Sequence, residues 1–383
     1  MMTKKVIEAS MAVAVAAKLC KPDVVAVYPI TPQTHIPERI ADFVYDGESD
    51  IEMIDVESEH SALSACVGAQ AAGSRTFTAT ASQGLALMHE ILFVASGLRL
   101  PIVMAVANRT LSAPINIWND HQDSVSARDA GWMQFYVESA QEALDAVIMA
   151  YKIAENKDVL MPAMVCLDGF TLTHVYEPVD VPEQAKVNRF LPDYKPLYKL
   201  DPAKPITMGP IGFPNSFMHF KEQQHRAMIN AIAVIQNTAD GFKKMFKRDY
   251  GNGLIELYKM ENAQYAVICM GTVCGTARHV VDEMKKKGHK VGLIKIRTFR
   301  PFPEHDLLEA TKKLKGVAVL DKNISLGQQG ALYTDLKAVL KNSKTIVNSF
   351  IVGLGGRDVT SCHIEEALLR TIKSKKPIIE WLH

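Results

Sequence analysis

Apolar and polar positions fall into blocks along the chain. From residue 5 to about 175, short β-rich runs at 24–27, 51–56, 76–80, 102–107 and 163–167 alternate with helically spaced stretches at 60–72, 85–96 and 140–155. Short, nearly unbroken apolar runs separated by helices predict βαβ units and a parallel sheet. An alanine-rich amphipathic helix is expected ahead of them, at VIEASMAVAVAAKLC.

Between 178 and 214 prolines recur too often for a helix or a central strand, which predicts a linker or wrapping arm. A polar helical segment over 221–258 then leads into a second alternation, with strands expected at 265–270, 290–295, 316–320 and 349–353. The predicted organisation is a first domain over 1–178, a proline-rich linker and helical arm over 179–255, and a smaller α/β domain over 256–383.

Composition narrows the class. With 48% hydrophobic and 22% charged residues among 383, the chain can bury a large core, and a net charge of +1 gives no drive toward nucleic acid or an anionic membrane. No apolar run reaches the roughly 18 residues that a membrane span needs. The six cysteines (20, 66, 166, 269, 274, 362) show neither CxxC nor zinc-ligand spacing, so they read as buried free thiols in a reducing cytoplasm. No metal site is expected on this chain.

Ligands of open parallel sheets bind outside the carboxyl ends of the strands. The five first-domain strands exit into Pro29-Ile30-Thr31-Pro32, Asp55-Val56-Glu57-Ser58-Glu59-His60, Thr80-Ala81-Ser82-Gln83-Gly84, Asn108-Arg109-Thr110 and Asp168-Gly169-Phe170. Singly, Thr31-Pro32 and Ser82 read as helix caps and the acidic cluster as a solvated loop. Together they bring a threonine, carboxylates, a glutamine and an arginine to one crevice. Arg109 there suits a small carboxylate guest, gripped by two hydrogen bonds; an ion pair with Glu57 or Asp120 is the alternative.

At these residues the chain resembles the alpha subunit of the 2-oxoacid:ferredoxin oxidoreductases, most closely the pyruvate:ferredoxin type. The resemblance rests on YPITP (28–32), VESEHSA (56–62), TATASQGL (78–85), VANR (106–109), NDHQD (119–123), LDGF (167–170) and GLGGRDV (353–359), which run in order over nearly the whole chain. It implies an α/β fold: the pyrimidine-binding domain of thiamine-diphosphate enzymes, a parallel sheet with helices on both faces, followed by a smaller domain like the C-terminal one of transketolase. It also implies catalytic roles for Glu59, Arg109 and Thr31. Glu59 stands where the family's glutamate meets the cofactor's aminopyrimidine ring, Thr31 where a threonine lines the cofactor and substrate pocket, and Arg109 where an arginine holds the 2-oxoacid carboxylate. Pro29, Ser82 and Gln83 join Glu59 and Thr31 as expected cofactor contacts.

The chain has no GDG signature for anchoring the diphosphate through Mg²⁺, and no cluster cysteines. The resemblance therefore implies partner subunits: beta with the diphosphate site and Mg²⁺, delta with 4Fe–4S clusters, and gamma. It further implies pyruvate and coenzyme A as substrates, and ferredoxin as electron acceptor. Alternatives are a branched-chain 2-oxoacid:ferredoxin oxidoreductase, the beta subunit of a 2-oxoacid dehydrogenase first component, or a non-catalytic scaffold. Asp120-His121-Gln122-Asp123 is expected to close the pocket beside Arg109, and Gly353 to Asp358 to form a strand-to-helix turn, with Arg357 and Asp358 in structural or interface roles.

Overall fold

The computed structural model describes residues 3–383. Its larger sheet has seven strands in the order Thr298–Arg300, Met133–Tyr136, Ala163–Asp168, Val103–Asn108, Thr76–Thr80, Val24–Ala26 and Glu52–Ile54. All its pairings are parallel except that of Thr298–Arg300. Every residue of Val103–Asn108 and Ala163–Asp168 is buried, as befits central strands covered on both faces. Helix Ala140–Ala154 is buried almost all round, between this sheet, helix Ala9–Cys20 and helix Pro214–Phe246.

The second sheet runs Ile379–Trp381, Ile346–Ile351, Gly316–Asp321, Tyr265–Cys269, Val291–Ile296 and Ile255–Tyr258, with only the last antiparallel. Soon after leaving it, Thr298–Arg300 adds to the first sheet beside Met133–Tyr136, and the Tyr136 amide donates to Arg297 O at 2.8 Å. A buried ion cluster fastens the same joint. Glu142, on helix Ala140–Ala154, accepts from Lys295 Nζ at 2.7 Å and Arg297 Nε at 2.6 Å. Burial opposes the Glu142 charge, but the two cations outweigh it and hold its carboxyl at about 2.

The expected α/β class holds, with three local differences. The long helix spans Pro214–Phe246 rather than 221–258: proline is tolerated at its first turn, and Lys247, in the left-handed region at φ 63, ends it. Residues Ile255–Tyr258 instead form an edge strand against Val291–Ile296. The proline-rich arm is partly ordered, since Tyr176–Val181 pairs antiparallel with Thr3–Glu8 and Gln184–Phe190 is helical. The arm is held to the first domain, where Pro192 O accepts from Arg75 Nη2 at 2.8 Å. Of the six cysteines, Cys362 is exposed rather than buried, because it lies on the outer side of helix Ser361–Lys373. The other five are buried, and burial pushes the Cys66 thiol up to about 12.

Candidate functional site

The crevice follows from the topology. From Val24–Ala26 the chain crosses to one side, to Glu52–Ile54, and then to the other, to Thr76–Thr80. At such a switch point neighbouring exit loops diverge and leave room for a ligand. The YPITP turn lies here and is clamped from below. Gln33, fully buried, donates from Nε2 to Tyr28 O at 3.1 Å and to Ala79 O at 2.8 Å, tying the turn to the next strand. Pro32 packs onto Gly169, where an added Cβ would meet Pro32 Cγ at 2.7 Å and clash with Asn108 O. Above this support Pro29 and Thr31 are exposed, and helix His35–Tyr45 starts three residues after Pro32, so Thr31 does not cap it.

Arg109 reaches across from the exit of Val103–Asn108. Its Nη1 donates to Thr31 O at 2.9 Å and its Nε to Asn116 O at 3.3 Å, while Nη2 has no partner among the described residues. The arginine thus pairs with neither Glu57 nor Asp120. Its backbone is set by Asp123, a buried carboxylate that accepts from Arg109 N and Ser82 N at 3.0 Å, and from Asn108 Nδ2 and Ser124 N at 2.7 Å. Burial raises the Asp123 carboxyl to about 6 against the pull of these donors. One side chain therefore sets the register of two exit loops.

Glu59 is the first residue of helix Glu59–Ala71, whose N-cap Ser58 accepts from Ser61 N at 3.2 Å. The helix N-terminus favours a negative charge there. Glu59 is only 8% exposed, yet its carboxylate has no hydrogen-bond or ion-pair partner among the described residues. It borders Gly84: a Cβ on that glycine would lie 2.7 Å from Glu59 Oε1 and 2.5 Å from Thr80 Oγ1. Thr80 Oγ1 is fully enclosed and also has no partner.

Ser82 turns away from the crevice. Held in the left-handed region at φ 48, it is fully buried and its hydroxyl bonds to Thr110 O and to Gln83 Oε1. Ala81, not Ser82, is the N-cap of the short helix that follows. Gln83 is half-buried at the same turn.

The second sheet closes the floor. Asp168 accepts from His121 Nε2 at 2.7 Å, Lys322 Nζ at 3.0 Å and Thr272 Oγ1. Burial opposes its charge, but Lys322 and His121 outweigh it and keep the carboxyl far below the usual range. The NDHQD loop thus lies beside Arg109 as expected, bonded to both sheets. The turn after Ile346–Ile351 packs on the same loop: Gly355 N donates to Asp120 Oδ2 at 3.3 Å and Gly356 N to Asn119 O at 2.7 Å. Gly356 has φ 75, and a side chain there would collide with Trp118.

Of the expected site residues, Thr31 and Arg109 are joined directly, Pro29 lies beside them on the open face, and Glu59 lies at the crevice wall. Gln33 carries no mark in the sequence, and Asp123 and Thr80, although they lie in the NDHQD motif and the third strand exit, gain their individual roles only from burial and bonding between distant loops. Among the described residues no three His, Cys, Asp or Glu side chains cluster as metal ligands would, and no helix is long and apolar enough to cross a membrane.

Comparisons with known proteins agree with this architecture. Residues 15–240 match the family described as "Pyruvate flavodoxin/ferredoxin oxidoreductase, thiamine diP-bdg", and residues 263–364 match "Pyruvate:ferredoxin oxidoreductase core domain II". The chain is 56% identical over 380 residues to "Pyruvate synthase subunit PorA" of Methanocaldococcus jannaschii, covering 99% of this chain and 97% of that one. It is 46% identical over 388 residues to "Ketoisovalerate oxidoreductase subunit VorA" of Pyrococcus horikoshii, covering 99% and 98%. Among solved structures, the fold resembles a 2-oxoglutarate:ferredoxin oxidoreductase from Magnetococcus marinus, with TM-score 0.71, 19% identity and coverage of 97% of this chain and 65% of that one. It also resembles a split-gene transketolase, with TM-score 0.58, 12% identity and coverage of 96% and 98%. The chain therefore belongs to the pyruvate:ferredoxin oxidoreductase family and contains its thiamine-diphosphate-binding domain.

Proposed function

We propose that this chain is the alpha subunit of a pyruvate:ferredoxin oxidoreductase, which converts pyruvate and coenzyme A to acetyl-coenzyme A and carbon dioxide, reversibly, and passes the electrons to ferredoxin. The observation that carries the reading is the Glu59 carboxylate, buried at a helix N-terminus, unpartnered, and given room by Gly84. A carboxylate is left in such a state where an incoming group completes its bonding. The aminopyrimidine ring of thiamine diphosphate fits, because its ring nitrogen can share a proton with a carboxylate. Bound there, the cofactor would supply the carbon nucleophile and electron sink that cleavage beside a ketone requires.

In this reading Glu59 holds a proton at the pyrimidine ring nitrogen. Arg109 turns its free Nη2 toward the carboxylate of the 2-oxoacid, while its bond to Thr31 O keeps the guanidinium plane fixed. Thr31 and Pro29 form the exposed lip over which cofactor and substrate lie. Ser82 and Gln83 support the cofactor through the turn they build, since the Ser82 hydroxyl is already engaged.

A site so open on one face is completed by other chains. The diphosphate with its Mg²⁺, and the iron–sulfur clusters, would reside on beta and delta subunits, with a gamma subunit completing a cytoplasmic complex. Pyruvate is preferred over branched-chain acids because identity is higher to the pyruvate synthase subunit, 56%, than to the ketoisovalerate subunit, 46%. Anaerobic viologen reduction by the complex co-purified on this chain tests this. Coenzyme-A-dependent reduction with pyruvate, well above that with 2-oxoisovalerate or 2-oxoglutarate, supports it; preference for 2-oxoisovalerate would reassign the substrate.

A further inference from the structure

Thr80 ends strand Thr76–Thr80 with its side chain fully buried, and its Oγ1 has no hydrogen-bond partner. Such a hydroxyl costs stability unless something completes it. The neighbouring Thr76 and Thr78 hydroxyls are both engaged, with Gln70 Oε1 and Ala26 O at 2.7 and 2.8 Å, so Thr80 is the exception on its own strand. Its Oγ1 and Glu59 Oε1 border the single space left by the missing side chain of Gly84, at 2.5 and 2.7 Å from where a Cβ would stand. A threonine hydroxyl can donate one hydrogen bond, and an ionised carboxylate can only accept.

We propose that Thr80 is a positioning residue for Glu59: in the cofactor-loaded complex its hydroxyl donates to one carboxylate oxygen and leaves the other to the pyrimidine ring nitrogen. The inference rests on the role given to Glu59 above. It assigns Gly84 a matching part, because any side chain there would stand between the two oxygens. An unpaired hydroxyl in the unloaded chain is then held ready for the loaded state.

Thr80→Val removes the hydroxyl and keeps the shape, and Thr80→Ser keeps the hydroxyl. In the co-purified complex, Thr80→Val is expected to leave the melting temperature without cofactor unchanged or higher, since no bond is lost there. It should weaken thiamine diphosphate binding, read by titration, and lower kcat roughly ten- to hundredfold, with the KM for pyruvate unchanged. Thr80→Ser should restore both. A melting temperature lowered by Thr80→Val would show a structural hydroxyl and overturn the proposal, as would cofactor affinity and kcat equal to the unmodified complex. Glu59→Gln separates the two readings: if it abolishes turnover while Thr80→Val changes nothing, only the inference about Thr80 fails.

Discussion

Arg109 Nη1 donates to the carbonyl oxygen of Thr31 at 2.9 Å, closing a bridge between strand exits that lie 78 residues apart in sequence. The bridge uses one arm of the guanidinium and leaves the other unpartnered, so the same side chain can brace the turn and grip a ligand. An exposed threonine carbonyl is a modest acceptor for a cation. Its value here is geometric, since it fixes the plane in which the free arm points.

Replacing Arg109 by leucine removes both the brace on the turn and the proposed grip on the 2-oxoacid carboxylate. A charge-assisted hydrogen bond contributes roughly 1.5–3 kcal/mol, which corresponds to about a ten- to hundredfold rise in the KM for pyruvate. Steady-state kinetics of the complex measure it. An unchanged KM would remove Arg109 from the carboxylate site.

Gly84→Ala should be severe although it adds one methyl group. The new Cβ would lie 2.5 Å from Thr80 Oγ1 and 2.7 Å from Glu59 Oε1, closer than real carbon–oxygen contacts allow, so the carboxylate must move. A fall in kcat of about a hundredfold or more, with the complex still assembled, is the expected result. Near-normal kcat would mean that Glu59 needs no fixed position.

The Glu142 cluster makes a prediction about pH. Its carboxyl titrates at about 2 in the fold, below the ordinary 4.5, so its contribution to stability is whole above about pH 4.5 and is lost as the pH falls toward 2. Glu142→Gln leaves buried Arg297 without its carboxylate and Lys295 with only the longer contacts to Glu138 at 3.4 Å and Glu256 at 3.8 Å, and should cost about 3 kcal/mol at neutral pH. The variant's stability should also fall less between pH 4.5 and 2. Thermal unfolding of the complex across pH reads both effects.

Much of the fold was legible because parallel strands are locally marked: 24–27, 76–80, 102–107 and 163–167 are short β-rich runs, and each is a strand core in the structure. The same holds for helix Ala140–Ala154, expected at 140–155. Met133–Tyr136 and Thr298–Arg300 were not legible, since four- and three-residue strands carry little periodicity and the second pairs with a strand of the other domain. At the site, an arginine or glutamate in a recognised motif can be picked out by eye. Their supports are not visible in this way: Asp123 lies in the NDHQD motif, but its task, like that of Gln33, comes from amide and carbonyl groups that approach only in the folded chain.

The proposed task of Glu59 is to handle the proton of the cofactor's pyrimidine ring. The most direct measurement is pyruvate- and coenzyme-A-dependent viologen reduction by a complex carrying Glu59→Gln, a near-isosteric change that removes the acid. Turnover is expected to fall by about a thousandfold or more while subunit composition and bound iron match the unmodified complex. Turnover at the unmodified rate would contradict it.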